Sequence, residues 1–358
     1  MKRYITIFSA GLALMASVSG RAQDIHFSQF YVNSILENPA LTGIFTGDYR
    51  YGVDYRSQWA SVANPFNTVM ASGEYKILVD RNTGDYLSFG ALFTYDMAGA
   101  INFASTQVYG SVAYNKALDD QHNTYLSVGL TGGFLNRSVD MGEMTFSSQY
   151  QNGSFNANNP TGEVATFKSS NNYDVGAGVS LNSSLDHDGR FNYYLGAAAY
   201  HLNEPTETLS GGLGGGDVKL PMKWEGSFGL NLPFTSQFGL QVMGNYSFEQ
   251  PYQEVLFGGL FTYHAIQPGV PSIFAFSFGA FYRVQDAIIP TVKLDYKNVS
   301  VGFSYDVTNS SLATGTSGAS ATEITLYVRG MTEHRKNPRD PIMCPRFEDN
   351  VNPQNTFR

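Results

Sequence analysis

The stretch Val299-Ser300-Val301-Gly302-Phe303-Ser304-Tyr305-Asp306-Val307-Thr308 decides the fold. Val299, Val301, Phe303, Tyr305 and Val307 take alternate positions, with Ser300, Gly302, Ser304, Asp306 and Thr308 between them. Successive side chains leave a β-strand on opposite faces, so this segment has one oily face and one wet face. Tyr86–Met97 repeats the pattern, setting Leu87, Phe89, Ala91, Phe93, Tyr95 and Met97 against Tyr86, Ser88, Gly90, Leu92, Thr94 and Asp96. Phe238–Glu249 repeats it again, and Phe274, Phe276, Phe278, Ala280 and Tyr282 form a further apolar row.

About fourteen such segments, punctuated by Gly, Asn, Asp and Pro, run along the chain. They cover 48–58, 67–78, 85–97, 103–116, 123–138, 172–182, 190–202, 220–232, 236–249, 252–264, 272–285, 287–297, 298–308 and 321–330. Strands of soluble proteins usually have about five or six residues, whereas a tilted membrane-crossing strand needs about 9–11. Most of these segments are of the longer kind. The long connections, 139–171, 203–219 and 309–320, all follow odd-numbered segments, and most even connections are tight, as at Asn82–Gly84, Pro233–Ser236 and Lys297–Asn298. Short periplasmic turns with longer external loops are the outer-membrane pattern. The expected fold is all-β: a transmembrane antiparallel barrel of about fourteen strands over residues 48–330. A further hairpin around Met144–Gln149 would add two strands.

Composition agrees. Charged residues make up 15% of the 358-residue chain, against about 25% in soluble proteins, and aromatics reach 14%. Mean hydropathy is nevertheless below zero, as alternation of polar and apolar positions requires. A net charge of −8 argues against nucleic acid, which demands clustered Lys and Arg. The single cysteine, Cys344, excludes an internal disulfide framework and a Cys-based zinc cage. The six histidines show no metalloprotease spacing, and no Ser-centred catalytic motif stands out. Asp186-His187-Asp188-Gly189 reads as a polar turn, and Gly211–Asp217 as a flexible outer loop. Neither an enzyme nor a cofactor is expected.

The N-terminus reads as a secretory signal over residues 1–22: Lys2 and Arg3, then an uncharged apolar run from Tyr4 to Val18, then small residues ending at Ala22. On the wet face of the first strand lie Asp48, Arg50, Asp54 and Arg56, with Arg283, Asp286, Lys293, Asp295, Glu323 and Arg329 later in the chain. An Arg in lipid near the bilayer midplane costs about 2–4 kcal/mol, so these charges belong in the lumen or at a rim. They form either a charged track, a latch for an internal plug, or ordinary cross-strand pairs. Small residues read as lumen-facing (Gly129, Gly176, Gly178, Gly226, Ala198) leave either an open interior or room for an inserted segment. Residues 23–47, rich in aromatics, either fold into the lumen or cover the periplasmic mouth. Residues 331–358 contain Pro338, Pro341, Pro345 and Pro353 and cannot extend the sheet; they form a periplasmic tail that docks a partner or packs under the barrel.

Three stretches carry a family resemblance. Gln23-Asp24-Ile25-His26-Phe27-Ser28-Gln29-Phe30 with Asn38-Pro39-Ala40-Leu41-Thr42-Gly43 is one. Tyr49-Arg50-Tyr51-Gly52-Val53-Asp54-Tyr55-Arg56-Ser57-Gln58-Trp59 is the second. The third joins Tyr282-Arg283, Asp286-Ala287-Ile288-Ile289-Pro290 and Gly302-Phe303-Ser304-Tyr305-Asp306-Val307 to the closing Cys344-Pro345-Arg346-Phe347. Together they resemble the PorP/SprF family of outer-membrane barrels associated with type IX secretion in Bacteroidota. The resemblance implies an integral outer-membrane accessory that assists delivery or surface anchoring of secreted cargo, including gliding adhesins. Its implied partners are that cargo, secretion-system components and outer-membrane lipid. The partner- or plug-contact residues it suggests are Asp24, His26, Phe27, Ser28, Gln29, Phe30, Asn38, Pro39, Cys344, Pro345, Arg346 and Phe347. A barrel with small polar lumen residues leaves a porin or small-molecule transporter as the alternative.

Overall fold

The computed structural model describes residues 24–60, 64–79, 83–99, 103–119, 124–139, 147–151, 153–160, 166–167, 169–185, 191–207, 210–211, 218–265, 274–309 and 319–331. The signal segment, the run Asp186–Gly189, residues 212–217 and the tail from Thr332, with Cys344, Pro345, Arg346 and Phe347, lie outside them.

Fourteen antiparallel strands close into a barrel. In chain order they are β1 (Tyr49–Gln58), β2 (Phe66–Leu78), β3 (Tyr86–Ala98), β4 (Phe103–Asp119), β5 (Thr124–Ser138), β6 (Ser170–Ser184) and β7 (Asn192–Tyr200). The circle continues through β8 (Lys223–Pro233), β9 (Phe238–Glu249), β10 (Tyr252–His264), β11 (Phe274–Arg283), β12 (Ala287–Tyr296), β13 (Val299–Thr308) and β14 (Ala319–Gly330). Each strand pairs with the next, and β14 returns to β1 with Gly330 opposite Tyr49 and Ala321 opposite Gln58. Closure leaves no unpaired strand edge, which a sheet in hydrocarbon cannot tolerate.

Alternation sorts the side chains. On β5, Leu130 is 63% exposed and its neighbour Thr131 only 4%. On β13, Val301, Phe303 and Val307 face outward while Ser300, Ser304, Asp306 and Thr308 are buried within. The outward rows, including Tyr51, Phe89, Phe134 and Phe278, match a lipid environment. Among the described residues no helix is long and apolar enough to cross a membrane.

The long connections 139–169 and 201–222 share one mouth, opposite the two-residue turn Lys297–Asn298. The short-turn mouth therefore faces the periplasm. Of Met144–Gln149, where a further hairpin is expected, residues 144–146 lie outside the described residues and Ser147–Gln149 form a turn of 3-10 helix. Two-residue strands Tyr150–Gln151 and Ser154–Phe155 pair with each other in the outer loop, apart from the barrel.

Residues 24–47 run through the lumen, from the outer mouth to the periplasmic end where β1 begins. The segment has turns of 3-10 helix at Phe30–Val32 and Pro39–Leu41, with one short helix, α1 (Ser34–Glu37), between them. Asn38 sets the second turn: its Oδ1 accepts the Ala40 N–H at 2.9 Å, and Pro39, lacking a donor, opens the turn. At Gly47 (φ 104) the chain leaves the lumen for the wall; a Cβ there would sit 2.5 Å from the Gly330 carbonyl oxygen.

The barrel core is thus made by the inserted segment. Phe27 and Ile35 pack with Met70, Leu92 and Tyr109. Phe30, Leu41 and Ile44 pack with Tyr86, Tyr125, Tyr194, Leu256, Leu260, Phe281 and Ile289. Each buried Phe, Ile or Leu contributes roughly 1.5–3 kcal/mol. Against β5, β6 and β7 the segment lies flush in a glycine niche. A Cβ on Gly129 would meet the Pro39 carbonyl carbon at 2.3 Å, and one on Gly178 the Asn38 Oδ1 at 2.0 Å. Gly226, read from sequence as a lumen residue, instead shares the outer face with Trp224 and Phe228, and a Cβ there meets nothing within 4 Å.

This geometry sets a test. Gly178→Leu should displace Asn38-Pro39 and lower the thermal unfolding midpoint, read from the heat-dependent gel mobility of the barrel. Gly226→Ala should leave it unchanged. Equal behaviour of the two variants would contradict the niche.

Candidate functional site

β1 carries the inward row. Arg50, Asp54 and Arg56 project into the lumen, and Asp48, just before the strand, is buried at its periplasmic end. Asp48 N–H donates to the Gly330 carbonyl at 2.7 Å, tying the start of β1 to the end of β14. Near that end Arg50 donates to Glu74 at 2.6 Å and to Ser34 Oγ at 2.8 Å. Glu74 also accepts the Gly43 N–H at 2.7 Å, while Lys76 reaches the Phe45 carbonyl. At mid-depth Asn33 donates to Asp54 at 3.1 Å and accepts from the Tyr327 hydroxyl at 2.6 Å.

Towards the outer mouth the charges converge on Ser28. The Arg56 guanidinium pairs with Asp306 at 2.9 Å and Glu323 at 3.0 Å, and all three side chains are no more than 1% exposed. Glu323 accepts the backbone N–H groups of Ser28 (2.7 Å) and Gln29 (2.8 Å). The Ser28 hydroxyl donates its one proton to Asp306 and accepts from Arg56 and Arg283. Arg283 also meets Asp306 at 2.9 Å, Asp286 at 3.1 Å and Glu254 at 3.2 Å. One serine is thereby fastened to β1, β11, β13 and β14. Of the three uses open to these charges from sequence, the structure has them bonding the internal segment as well as one another. Asp286 sits at the rim: it lies in the β11–β12 turn with its carboxylate 44% exposed.

Four residues upstream the same segment is fastened to the opposite wall. Asp24 accepts from Gln107 at 2.9 Å and faces Lys223 at 3.4 Å, and its backbone N–H donates to Glu249 at 3.3 Å. Burial opposes ionisation of Asp24, but Lys223, His201 and the Gln107 hydrogen bond overrule it and hold the carboxyl well below the usual carboxylate range. Asp24–Gln29 is thus a strap across the outer mouth. His26 lies on it, and burial, helped by Arg283 and Arg56 against Glu254, pushes its imidazole down to about 4. His26 is therefore neutral at neutral pH. Phe27 and Phe30 point into the core below, and Phe30 meets Phe281 edge-on at 5.9 Å. Asn38 Nδ2 donates to the carbonyls of Val179 and Ala197 at 3.0 and 3.3 Å.

Above the strap a vestibule of about 820 Å³ opens outward. Trp59, Phe66, Phe103 and Tyr252 form its aromatic walls; Asp24, Ile25 and His26 its floor. Trp59 and Phe66 rings pack at 4.9 Å, with Trp59 in the left-handed backbone region (φ 57). Asp96, Glu254, Asp286 and Thr308 also face this space.

Several of these partners escaped the sequence reading: Glu74, Lys76, Gln107, Lys223 and Glu249. All lie on inward rows that alternation defines, so the signal was present but did not distinguish them from ordinary lumen lining. Apolar residues on the wet face (Met70, Leu92, Leu256, Leu260) were a further missed sign that something dry fills the interior.

A closed fourteen-strand barrel with a lipid-facing outer row defines an integral outer-membrane protein. The chain belongs to the type IX secretion system membrane protein PorP/SprF family, whose model matches residues 19–327. No curated protein sequence matches it. Among solved structures it is similar to the CymD monoaromatic hydrocarbon channel, at 12% identity and TM-score 0.44 over 88% of this chain and 96% of that one. It is also similar to the translocator domain of autotransporter NalP from Neisseria meningitidis, at 8% identity and TM-score 0.44 over 84% and 96%.

Removing one partner of a buried ion pair typically costs about 3–5 kcal/mol, because the remaining charge is stranded. Arg56→Met should destabilise the barrel by about that much in urea titration, and adding Asp306→Asn with Glu323→Gln should recover part of the loss. A single variant as stable as the parent would show that the latch carries no energy.

Proposed function

We propose that this chain is a sealed scaffold of the type IX secretion machinery. It assists delivery or surface anchoring of particular secreted proteins, including gliding adhesins, through protein–protein contacts and without catalysis. The observation that supports this reading is the internal segment: residues 24–47 occupy the lumen and are bonded to strands on opposite walls. A diffusion pore needs a continuous aqueous path, and Phe27, Phe30 and Phe45 of the internal segment are buried where such a path would run. We read residues 23–47 as a plug, and residues 331–358, with Cys344-Pro345-Arg346-Phe347, as a periplasmic tail available to secretion-system components.

Deleting the encoding gene should strip one or more large secreted proteins from the cell surface, with recovery on complementation. Surface and secreted proteomes indistinguishable from the parent strain would refute the reading.

A further inference from the structure

The outer vestibule has a floor, the strap Asp24–His26, and beneath it lies the packed core of Phe27, Ile35, Met70 and Leu92. A space floored in this way suits binding better than transit. We propose that the vestibule docks an extended peptide segment bearing a Lys or Arg side chain, presented from outside the cell. This rests on the scaffold reading above and deepens it by naming the chemistry of the docked partner.

Charge is the first argument. Four carboxylates line the space (Asp24, Asp96, Glu254, Asp286) against two guanidiniums, Arg56 and Arg283. Arg56 is engaged by Asp306 and Glu323, Arg283 by Asp306 together with Glu254 and Asp286, and Asp24 faces Lys223, so these five carboxylates, with Asp96, outnumber the three cations. The surplus is negative, and it is reachable. Asp286 is 44% and Glu254 27% exposed, while Asp96 is partly exposed and accepts a hydrogen bond from Thr68 at 2.6 Å. His26 adds no positive charge at neutral pH.

An unfulfilled polar group is the second argument. Thr308 faces the vestibule with its residue only 7% exposed, and its hydroxyl has no hydrogen-bond partner among the described residues. A buried hydroxyl without a partner is costly, and a backbone or side-chain group of a docked segment would satisfy it. The walls are the third. Trp59, Phe66, Phe103 and Tyr252 line the space, and aromatic rings attract an alkyl-ammonium or guanidinium over a neutral group. The volume lies within the range of pockets that hold a few residues of peptide.

The test uses the full chain in phosphatidylcholine nanodiscs, exposed to a random hexapeptide library and then washed. Retained peptides should be enriched in Lys and Arg by about tenfold over empty nanodiscs, the equivalent of one good charge contact. Asp96→Asn combined with Asp286→Asn should return the enrichment to background while keeping the folded gel mobility of the parent. No enrichment, enrichment of acidic or wholly apolar peptides, or equal enrichment by the double variant would each overturn the proposal. Cells separate its failure from that of the scaffold reading. If gene deletion strips the surface proteins and the double variant restores them fully, the vestibule proposal is wrong and the scaffold reading stands. If deletion changes nothing, the scaffold reading itself fails.

Discussion

A guanidinium sealed inside a barrel must be neutralised where it stands, and Arg56 is the case on which this molecule turns. Its charge is no more than 1% exposed, held between Asp306 and Glu323. Those carboxylates in turn hold Ser28 and Gln29. Isolated burial of a charge is prohibitive, and pairing with additional hydrogen bonds is what makes it tolerable. The wall supplies the ions and the internal segment supplies the remaining donors, so neither arrangement is complete alone.

From that requirement the filled lumen follows. Once Ser28 and Asp24 are fastened to opposite walls, the chain between and beyond them descends through the barrel. Lumen residues that would face water in an open channel become core: Met70, Leu256, Leu260 and Ile289 are all fully or nearly fully buried. Glycines on β5 and β6 let the backbone of Asn38-Pro39-Ala40 approach the wall at contact distance. The outcome is a barrel whose middle is packed by residues 24–47, with an acidic, aromatic cup on its outer side.

Much of the barrel could be read from the sequence because lipid imposes a period of two on every strand. Val299–Thr308 sorts its faces as the alternation requires, and the strand number and loop parity agree with the structure. Where the pattern is thin it misleads. Gly226 has no side chain to declare a face, and the inward row of β8 is set instead by Lys223, Glu225 and Asn231. Asp286, left between the segments 272–285 and 287–297, does lie in a turn. The path of residues 24–47 was not decidable from the sequence, because its defining bonds join groups nearly 300 positions apart, as between Ser28 and Glu323. No local periodicity encodes such a contact, although the Arg and Asp alternation on β1 showed that something charged had to be met there.

The central claim is that the internal segment occupies the lumen in the membrane as well as in the folded chain. Single-channel recording of the purified full-length protein in planar lipid bilayers measures this most directly. The account expects a silent baseline under applied voltage. A stable, long-lived conductance of the size of a water-filled fourteen-strand pore would contradict it.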